Sequence, residues 1–201
     1  DLWRSGGEGA MTPKGAIADL EEAVKIAPDF ARAWVALASA YAQRQNWSTG
    51  AEQTALVEKA RNAAGKALEI DPGLGEAYVV LGRFDPSNDW QVRGAQFAKA
   101  VAAEPNDADV LMLHAGFWLS ETGQSQEAVR ELARAYEIDP TSNLLLNRYC
   151  EALIAVNDIA TVEKVITERV AATPEMGVLW QVILVDRLRK RDFAGARAYR
   201  D

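Results

Sequence analysis

Five prolines recur at nearly even intervals along this chain. Pro28, Pro72, Pro105, Pro140 and Pro174 are separated by 44, 33, 35 and 34 residues, and the first four end the similar tetrapeptides KIAP, EIDP, AAEP and EIDP. Proline cannot continue an α-helix, and it biases the residue before it away from the helical region. Each proline therefore predicts the end of a helix, and the regular interval predicts a chain built from one structural repeat.

Small and apolar residues recur at fixed distances before these prolines. The distances differ by three and four residues, which places the positions on one face of a helix. The alanines among them predict that a second helix passes close by. Five, eight and twelve residues before the prolines, in chain order, stand Ala23, Ala67, Ala100, Ala135 and Arg169; Leu20, Ala64, Phe97, Leu132 and Ile166; and Ala16, Ala60, Arg93, Ala128 and Val162.

A second helix is predicted after each proline. A large residue stands six positions after each proline. Three or four positions further along, a large residue is followed by a smaller one. This pattern predicts that the large side chain packs into the partner helix and that the small one lets the two helices approach closely. In the third repeat the matching pair, Ala115-Gly116, comes one residue later than in the other repeats, in agreement with the 35-residue interval. The other positions are Trp34, Tyr78, Leu111, Leu146 and Trp180, then Leu37-Ala38, Leu81-Gly82, Tyr149-Cys150 and Ile183-Leu184.

This pattern resembles the tetratricopeptide repeat, a 34-residue helix–turn–helix unit. Its clearest instance runs from Ala108 to Pro140, with Gly123 at the turn between the two helices. The resemblance implies an all-α solenoid, a right-handed superhelix of antiparallel helix pairs in which the first helix of each pair lines the concave side. Such a protein is stabilised by the stacking of neighbouring repeats, since no unit buries its apolar face alone.

The repeat boundaries follow from the proline intervals. We expect a single solenoid fragment of a longer protein over residues 1–201. Residues 1–30 form a partial first repeat, 31–73 a repeat with an insertion of about ten residues, and 74–107 a shortened repeat. Residues 108–141 form a regular repeat, 142–175 a further repeat, and 176–201 a truncated last one.

Two repeats depart from the regular pattern. Residues 49–52, TGAE, are typical of a capping box, which predicts a long helix from there to about Ile70. In residues 84–90, FDPSNDW, Pro86 shortens one helix, and Ser87 or Asp89 can cap the next. This layout resembles the C-terminal arm of bacterial winged-helix transcriptional regulators and of some adenylate cyclases. That resemblance implies a non-catalytic regulatory arm that binds proteins, although the parent protein could be an enzyme.

Composition excludes several kinds of chemistry. The 201 residues include 22 basic and 29 acidic side chains, a net charge of −7, which disfavours nucleic-acid binding. One cysteine and one histidine remove most metal and acid–base chemistry, so we expect no catalytic, metal or cofactor site and a structural role for Cys150 and His114. No run of about 20 apolar residues could span a bilayer. The glycines of SGGEG and PGLG, which lack a phosphate-binding pattern, predict turns: Gly6, Gly7, Gly9, Gly73 and Gly75.

We place the partner-binding surface on the first helices of the repeats, at the positions that face away from the second helices. Their mixture of apolar and hydrogen-bonding side chains suits an extended peptide or a helix laid in the concave groove. The alternative is that these side chains are only solvated. The residues are Arg32, Val35, Ser39, Glu76, Val79, Arg83, Leu113, Phe117, Glu121, Asn147, Glu151 and Gln181.

Other features leave alternatives open. Trp47 and Trp90, beside the irregular segments, either pack those segments or form a contact surface, whereas Trp34 and Trp180 occupy core positions. Residues 187–201 hold 6 basic and 2 acidic residues, a net charge of +4, whereas residues 101–186 hold 5 and 14, a net charge of −9.

The run RLRKR, residues 187–191, either complements a helix dipole or docks electrostatically on another copy or domain. The alternative function is therefore homodimerisation through the solenoid ends. A cytoplasmic location is favoured, and a periplasmic one follows if the parent has an upstream membrane span.

Overall fold

A computed structural model of the protein describes residues 13–87 and 89–172. These residues form α-helices joined by short turns, and they contain no β-strand. The helices are α1 (Pro13–Ile26), α2 (Ala31–Arg44), α3 (Gly50–Ile70), α4 (Gly75–Arg83), α5 (Trp90–Ala103), α6 (Ala108–His114), α7 (Ser125–Ile138), α8 (Asn143–Ala155) and α9 (Ile159–Ala172).

The protein divides into two compact units. The first ends at Trp118 and the second begins at Leu119. Helices α1 to α6 lie in the first unit, and α7 to α9 lie in the second. A π-helical turn, Ala115–Leu119, follows α6 and carries the backbone across the division.

The small positions before the prolines are buried in α3, α5 and α7, whereas Ala16 and Ala23 of α1 are half-buried. Ala67, Ala100 and Ala135 are each completely buried, and so are Ala60 and Ala128. Phe97 and Leu132, which share their helix faces with these alanines, are 0% and 1% exposed. Each helix thus buries a narrow stripe of small side chains, against which a neighbouring backbone can approach closely.

Helices α4 and α5 show how close this approach is. The backbone at Gly75 faces Ala100, and a Cβ atom there would lie 2.7 Å from the Ala100 carbonyl oxygen. At the other end of α4, a Cβ on Gly82 would lie 3.1 Å from the Phe97 ring. Because the start of α4 meets the end of α5, the two helices are antiparallel, and only glycine fits at Gly75.

Helices α2 and α4 lie side by side and run in the same direction. Ser39 donates a hydrogen bond to the Glu76 carboxylate, and Arg83 Nη2 donates one to Asn46 Oδ1 at 2.8 Å. Asn46 lies in the short 3-10 turn after α2. Both contacts join residues 37 positions apart in the sequence. Because this separation stays constant along the two helices, they run parallel. The first helices of two successive repeats are therefore neighbours.

The two irregular segments follow the prediction in outline. Helix α3 extends to Ile70, and α4 ends at Arg83, ahead of Pro86. Asp89 caps α5, since its Oδ1 accepts hydrogen bonds from the backbone N–H groups of Gln91 at 2.7 Å and Val92 at 3.4 Å.

The predicted capping box before α3 is wrong. Thr49 precedes the helix, but its side chain accepts no capping hydrogen bond. The Glu52 carboxylate instead accepts a hydrogen bond from Arg44 Nη2 at 3.1 Å.

The third repeat also differs from the prediction. Ala115 is completely buried four residues after Leu111, so it occupies the same small position as Ala38 and Cys150 and is not one residue late. Gly116 is half-buried, with no neighbouring atom within 4 Å of where its Cβ would be. The extra residue of the 35-residue interval is accommodated by the π-helical turn, which has a wider i→i+5 hydrogen-bond pattern.

The second unit has the same plan. Gly123, at the turn before α7, adopts a φ of +77°, which favours glycine. Ser142 caps α8 by accepting a hydrogen bond from the backbone N–H of Leu145 at 3.3 Å. Arg169, which stands where the other repeats have alanine, donates a hydrogen bond to the Thr141 carbonyl at 2.9 Å. The long side chain thus reaches across to the preceding inter-helix turn.

Several sequence predictions fall outside the described residues. They concern the glycines of SGGEG, Trp180 and Gln181, and the basic run at residues 187–191.

We expect Ala100→Leu to destabilise the protein by about 1–3 kcal/mol, because three extra carbon atoms cannot be accommodated where α5 meets α4. Ala98→Leu is the matched control, since it makes the same change at an exposed position of the same helix. Urea unfolding followed by circular dichroism measures both free energies. Equal values for the two variants would contradict the close packing of α4 on α5.

Candidate functional site

A depression opens on the first unit between α2, α4 and the segment that links α5 to α6. Its volume is about 170 Å³. Its floor includes apolar side chains, whereas its wall is mainly carboxylates. The lining residues are Arg32, Val35, Ala36, Leu74, Glu76, Glu104, Asp107 and Asp109.

Local folding places the carboxylates of the α5–α6 segment. Asp107 caps α6, and its Oδ1 accepts a hydrogen bond from the backbone N–H of Val110 at 2.9 Å. Glu104 Oε2 accepts a hydrogen bond from the backbone N–H of Gly75 at 2.7 Å. Acidic residues therefore satisfy the free N–H groups at the starts of α6 and α4, where a negative charge is also favoured by the helix dipole.

The pKa of the Glu76 carboxyl group is strongly raised. Burial raises its pKa to about 7, and the negative charges of Asp109, Asp107 and Glu104 act in the same direction. The hydrogen bond from Ser39 opposes this shift, because it stabilises the ionised form. Among the residues that the structure describes, none forms an ion pair with Glu76. The partly buried carboxylate thus has Ser39 as a hydrogen-bond donor and no compensating cation in the part of the protein that the structure describes.

The cationic side chain among these lining residues is loosely held. Arg32 Nη2 lies 3.7 Å from Glu104 Oε1, and the Arg32 side chain is 71% exposed. An exposed pair at this distance is worth little, typically below about 1 kcal/mol. The lining of the depression therefore includes four carboxylates and one exposed, weakly paired arginine.

Three of the predicted surface residues line this depression, namely Arg32, Val35 and Glu76. Ser39 reaches it through its bond to Glu76. Val35 is only 6% exposed, so it contributes to the floor and little to the open surface. Val79 was expected on the open surface, but it is 2% exposed and packs in the core with Phe97, because α5 covers that side of α4.

Arg83 and Phe117 belong to a separate cluster in the first unit. The Arg83 guanidinium lies 4.2 Å from the Phe117 ring centroid and 4.8 Å from that of Phe84. Its hydrogen bond to Asn46 fixes this position. Leu113 is partly buried against the core that Phe117 also covers. These side chains contact one another, so their first role is structural.

The remaining predicted surface residues lie in the second unit. Glu121 is exposed, and Asn147 is half-buried on α8. Glu151 accepts a hydrogen bond from Arg148 Nη1 at 2.8 Å, one turn away on the same helix. The described residues named from the sequence are thus divided between the two units.

The acidic side of the depression was not predicted from the sequence. Glu104, Asp107 and Asp109 cluster around Pro105 in the stretch EPNDAD. An acidic cluster after a helix end is visible in the sequence, yet it is usually a solvated turn. Only its position against the start of α4 makes it part of a concave surface.

The surroundings of the tryptophans agree in part with the sequence prediction. The indole N–H of Trp34 donates a hydrogen bond to the Pro28 carbonyl at 2.9 Å, and the side chain packs partly buried against the core. Trp47 is 81% exposed. Trp90 is 51% exposed, and its ring lies 5.6 Å from that of Trp118 and 4.9 Å from the Arg93 guanidinium. Trp90 thus packs against Trp118 and Arg93 while about half of it stays exposed, and Trp47 faces solvent.

Cys150 and His114 have structural surroundings. Cys150 is 1% exposed, and burial raises its thiol pKa to about 12, which disfavours the reactive thiolate. The His114 ring lies 6.0 Å from that of Phe97. In the described ranges, no group of three or more histidine, cysteine, aspartate or glutamate side chains could hold a metal ion. No described helix combines the length and apolar character needed to cross a membrane.

Comparison with known proteins identifies the fold. No protein-family model matches the sequence, and no curated protein sequence matches it. Among solved structures, PilF of Pseudomonas aeruginosa is similar with a TM-score of 0.63 and 22% identity, over 84% of this protein and 72% of that one. The tetratricopeptide-repeat (TPR) protein TTC0263 of Thermus thermophilus gives 0.56 and 22%, over 71% and 73%.

A further similar structure is YrrB, described as a TPR protein with an unusual peptide-binding site. Its TM-score is 0.55 and its identity is 16%, over 90% of this protein and 88% of that one. At these identities the likeness concerns the fold alone. The predicted fold class is confirmed: the protein has the all-α fold of tetratricopeptide-repeat proteins.

The raised pKa of Glu76 predicts a pH-dependent stability. The folded-state pKa, about 7, exceeds the ordinary value of 4.5, so the folded protein binds the proton more tightly than the unfolded polypeptide. The contribution of Glu76 to the free energy of unfolding therefore falls as pH rises from about 4.5 to 7.

Glu76→Gln removes this titration and keeps an acceptor for Ser39. We expect the variant to be more stable than wild type by roughly 2–3 kcal/mol at pH 8, with a much smaller difference at pH 4.5. Thermal unfolding of both proteins across this pH range measures the effect. A stability difference that stayed constant with pH would show that Glu76 titrates normally.

Proposed function

We propose that this protein is a non-catalytic scaffold for protein–protein interaction, with a protein or peptide partner bound at the first-helix surface of its repeats. The observation that carries this proposal is the acidic depression beside α2 and α4. It contains a partly buried carboxylate that forms no ion pair with any described residue, and its apolar side chains can contact a side chain of another polypeptide.

The likeness to YrrB agrees with this proposal, since that protein is described as having a peptide-binding site. Tetratricopeptide repeats stack so that helix pairs are added one after another, which creates extended surfaces for a partner. The parallel neighbours α2 and α4 provide such a surface here. We further propose the repeat boundaries given above as the building units of the protein.

Within a cell, we propose that the protein is the regulatory arm of a bacterial signalling protein, either a transcriptional regulator or an adenylate cyclase. Support for this comes from the layout of the sequence: the long helix that ends at Ile70, the short helix before Pro86 and the cap at Asp89. Binding of a partner would bias the state of the attached output domain. The arm itself would supply no catalytic group.

Affinity capture tests the interaction function. The immobilised protein is incubated with a bacterial lysate, and the captured proteins are identified by mass spectrometry. Asp109→Lys reverses one charge of the depression, in the first turn of α6. We expect it to reduce the captured partner at least tenfold, because it places a cation where the site needs an anion.

Glu58→Lys is the control, since it makes the same charge reversal at an exposed position of α3 outside the depression. Circular dichroism confirms that both variants are folded. The proposal fails if wild type captures nothing above a blank resin, or if Asp109→Lys and Glu58→Lys capture the same proteins as wild type.

Self-association is the second candidate function, and one observation favours it. Residues 187–201 are strongly basic, with 6 basic and 2 acidic residues, whereas the depression is lined by four carboxylates and one arginine. The protein thus carries both members of a complementary pair. Light scattering that gives the monomer mass at all concentrations tested would rule this function out.

A further inference from the structure

We propose that the π-helical turn Ala115–Leu119 is a conformational switch. In the closed form, which the structure shows, the Trp118 ring lies on α5. In the open form, the turn is α-helical and the ring has left α5. This inference goes beyond the proposed scaffold function and does not depend on it, because the switch belongs to the free protein.

The first argument is the backbone of the equivalent segments in other repeats. Ala38 and Cys150 occupy the same small position as Ala115, and α2 and α8 continue past it as regular α-helices. In the third repeat, by contrast, α6 ends at His114 and the π-helical turn follows. An α-helical path through these positions is therefore compatible with the repeat. The extra residue of the 35-residue interval would then move into the next turn, before Gly123.

The second argument is that side chains in the middle of the turn hold the closed form. The Trp118 ring stacks on that of Phe97, with the centroids 5.5 Å apart and an angle of 24° between the planes. The neighbouring Phe117 ring lies 4.2 Å from the Arg83 guanidinium. Rare helix geometries such as this one are found mostly as single turns inside α-helices, often at functional sites. A change of turn geometry rotates both rings about the helix axis, so both contacts are made or lost together.

The third argument is how closely Trp118 fits its place on α5. A Cβ atom at Gly94 would lie 2.8 Å from Trp118 Cζ2, so the ring can lie here only because residue 94 is glycine. Contacts at this density cannot be loosened gradually, since a small gap already loses much of the attraction. The Trp118 ring therefore has two discrete positions, in place on α5 or away from it.

The fourth argument is that the turn has room to rearrange. Gly116 is half-buried, with no neighbouring atom within 4 Å of where its Cβ would be, and glycine only weakly favours an α-helix. The ends of the turn are fixed, because Ala115 and Leu119 are 0% and 6% exposed. Departure of Trp118 would uncover Phe97, which is completely buried in the closed form. The switch therefore decides whether this apolar surface of α5 is accessible.

Hydrogen exchange of the backbone amides, followed by NMR on the 201-residue protein, tests whether the turn opens by itself. We expect the amides of Phe117 and Trp118 to exchange about tenfold or more faster than those of Phe97 and Ala100, after correction for intrinsic rates. Their rates should not change in low urea, because a local opening exposes little surface. Exchange in the turn that occurs only through global unfolding would overturn the proposal.

Gly94→Ala tests the closing contact, because its Cβ would displace the Trp118 ring. We expect exchange in the turn to accelerate by about tenfold or more, while the amides of α2 keep their wild-type rates. Gly65→Ala is the matched control, since it makes the same change at a half-buried helical glycine with no atom within 4 Å of its Cβ position. Wild-type rates in Gly94→Ala, or equal acceleration in both variants, would overturn the role of Trp118.

Deletion of Gly116 tests the open form, because it removes the extra residue of the third repeat. The variant should fold with a helix content near that of wild type, measured by circular dichroism. Its Cα chemical shifts should be α-helical from Ala108 to Leu119, and the nuclear Overhauser effect between Trp118 and Gly94 should be lost. A deletion variant that does not fold, or that keeps the contact between Trp118 and Gly94, would overturn the α-helical open form.

Discussion

The close approach of helices at small side chains is the interaction on which the rest of the structure depends. The completely buried Ala60, Ala67 and Ala100 let a neighbouring backbone come within van der Waals contact. Gly75 and Gly82 do the same for α4, which lies so near α5 that a Cβ atom at Gly75 would collide with a carbonyl oxygen. Packing at this density is sensitive to each added methylene group. The alignment of these helices with their neighbours therefore follows from where the small residues stand.

This packing also creates the acidic depression. Because α4 lies so close to the end of α5, Glu104 can accept a hydrogen bond from the backbone N–H of Gly75. The carboxylates of Asp107 and Asp109 follow within five residues and reach the same surface. The parallel alignment of α2 with α4 then places Ser39 beside Glu76. A geometry that serves stability thus also concentrates negative charge around one partly buried carboxyl group, whose pKa rises as a consequence.

The fold could be predicted from the sequence because its signals are local and repeated. A proline that ends a helix and a stripe of alanines need no knowledge of distant residues. The predictions that failed depended on which of several side chains or helices, some of them distant in sequence, makes a given contact. Thr49 and Glu52 have the spacing of a capping box, but Arg44 takes the glutamate. Val79 has the register of an exposed position, but α5 covers it. Only three of the predicted surface residues line the depression, since the other described ones lie elsewhere in the two units.

By itself, the sequence determined the class of fold, the ends of the irregular helices and the burial of the alanine positions. These properties follow from helix periodicity and from the conformational limits of proline, which act within a few residues. Only the tertiary structure decided which charges meet. Glu76 is far in sequence from Glu104 and Asp109, and these carboxylates come together because α4 packs between α2 and the α5–α6 segment. Electrostatic energies depend on distance and burial, and neither can be obtained from the spacing of residues along the polypeptide.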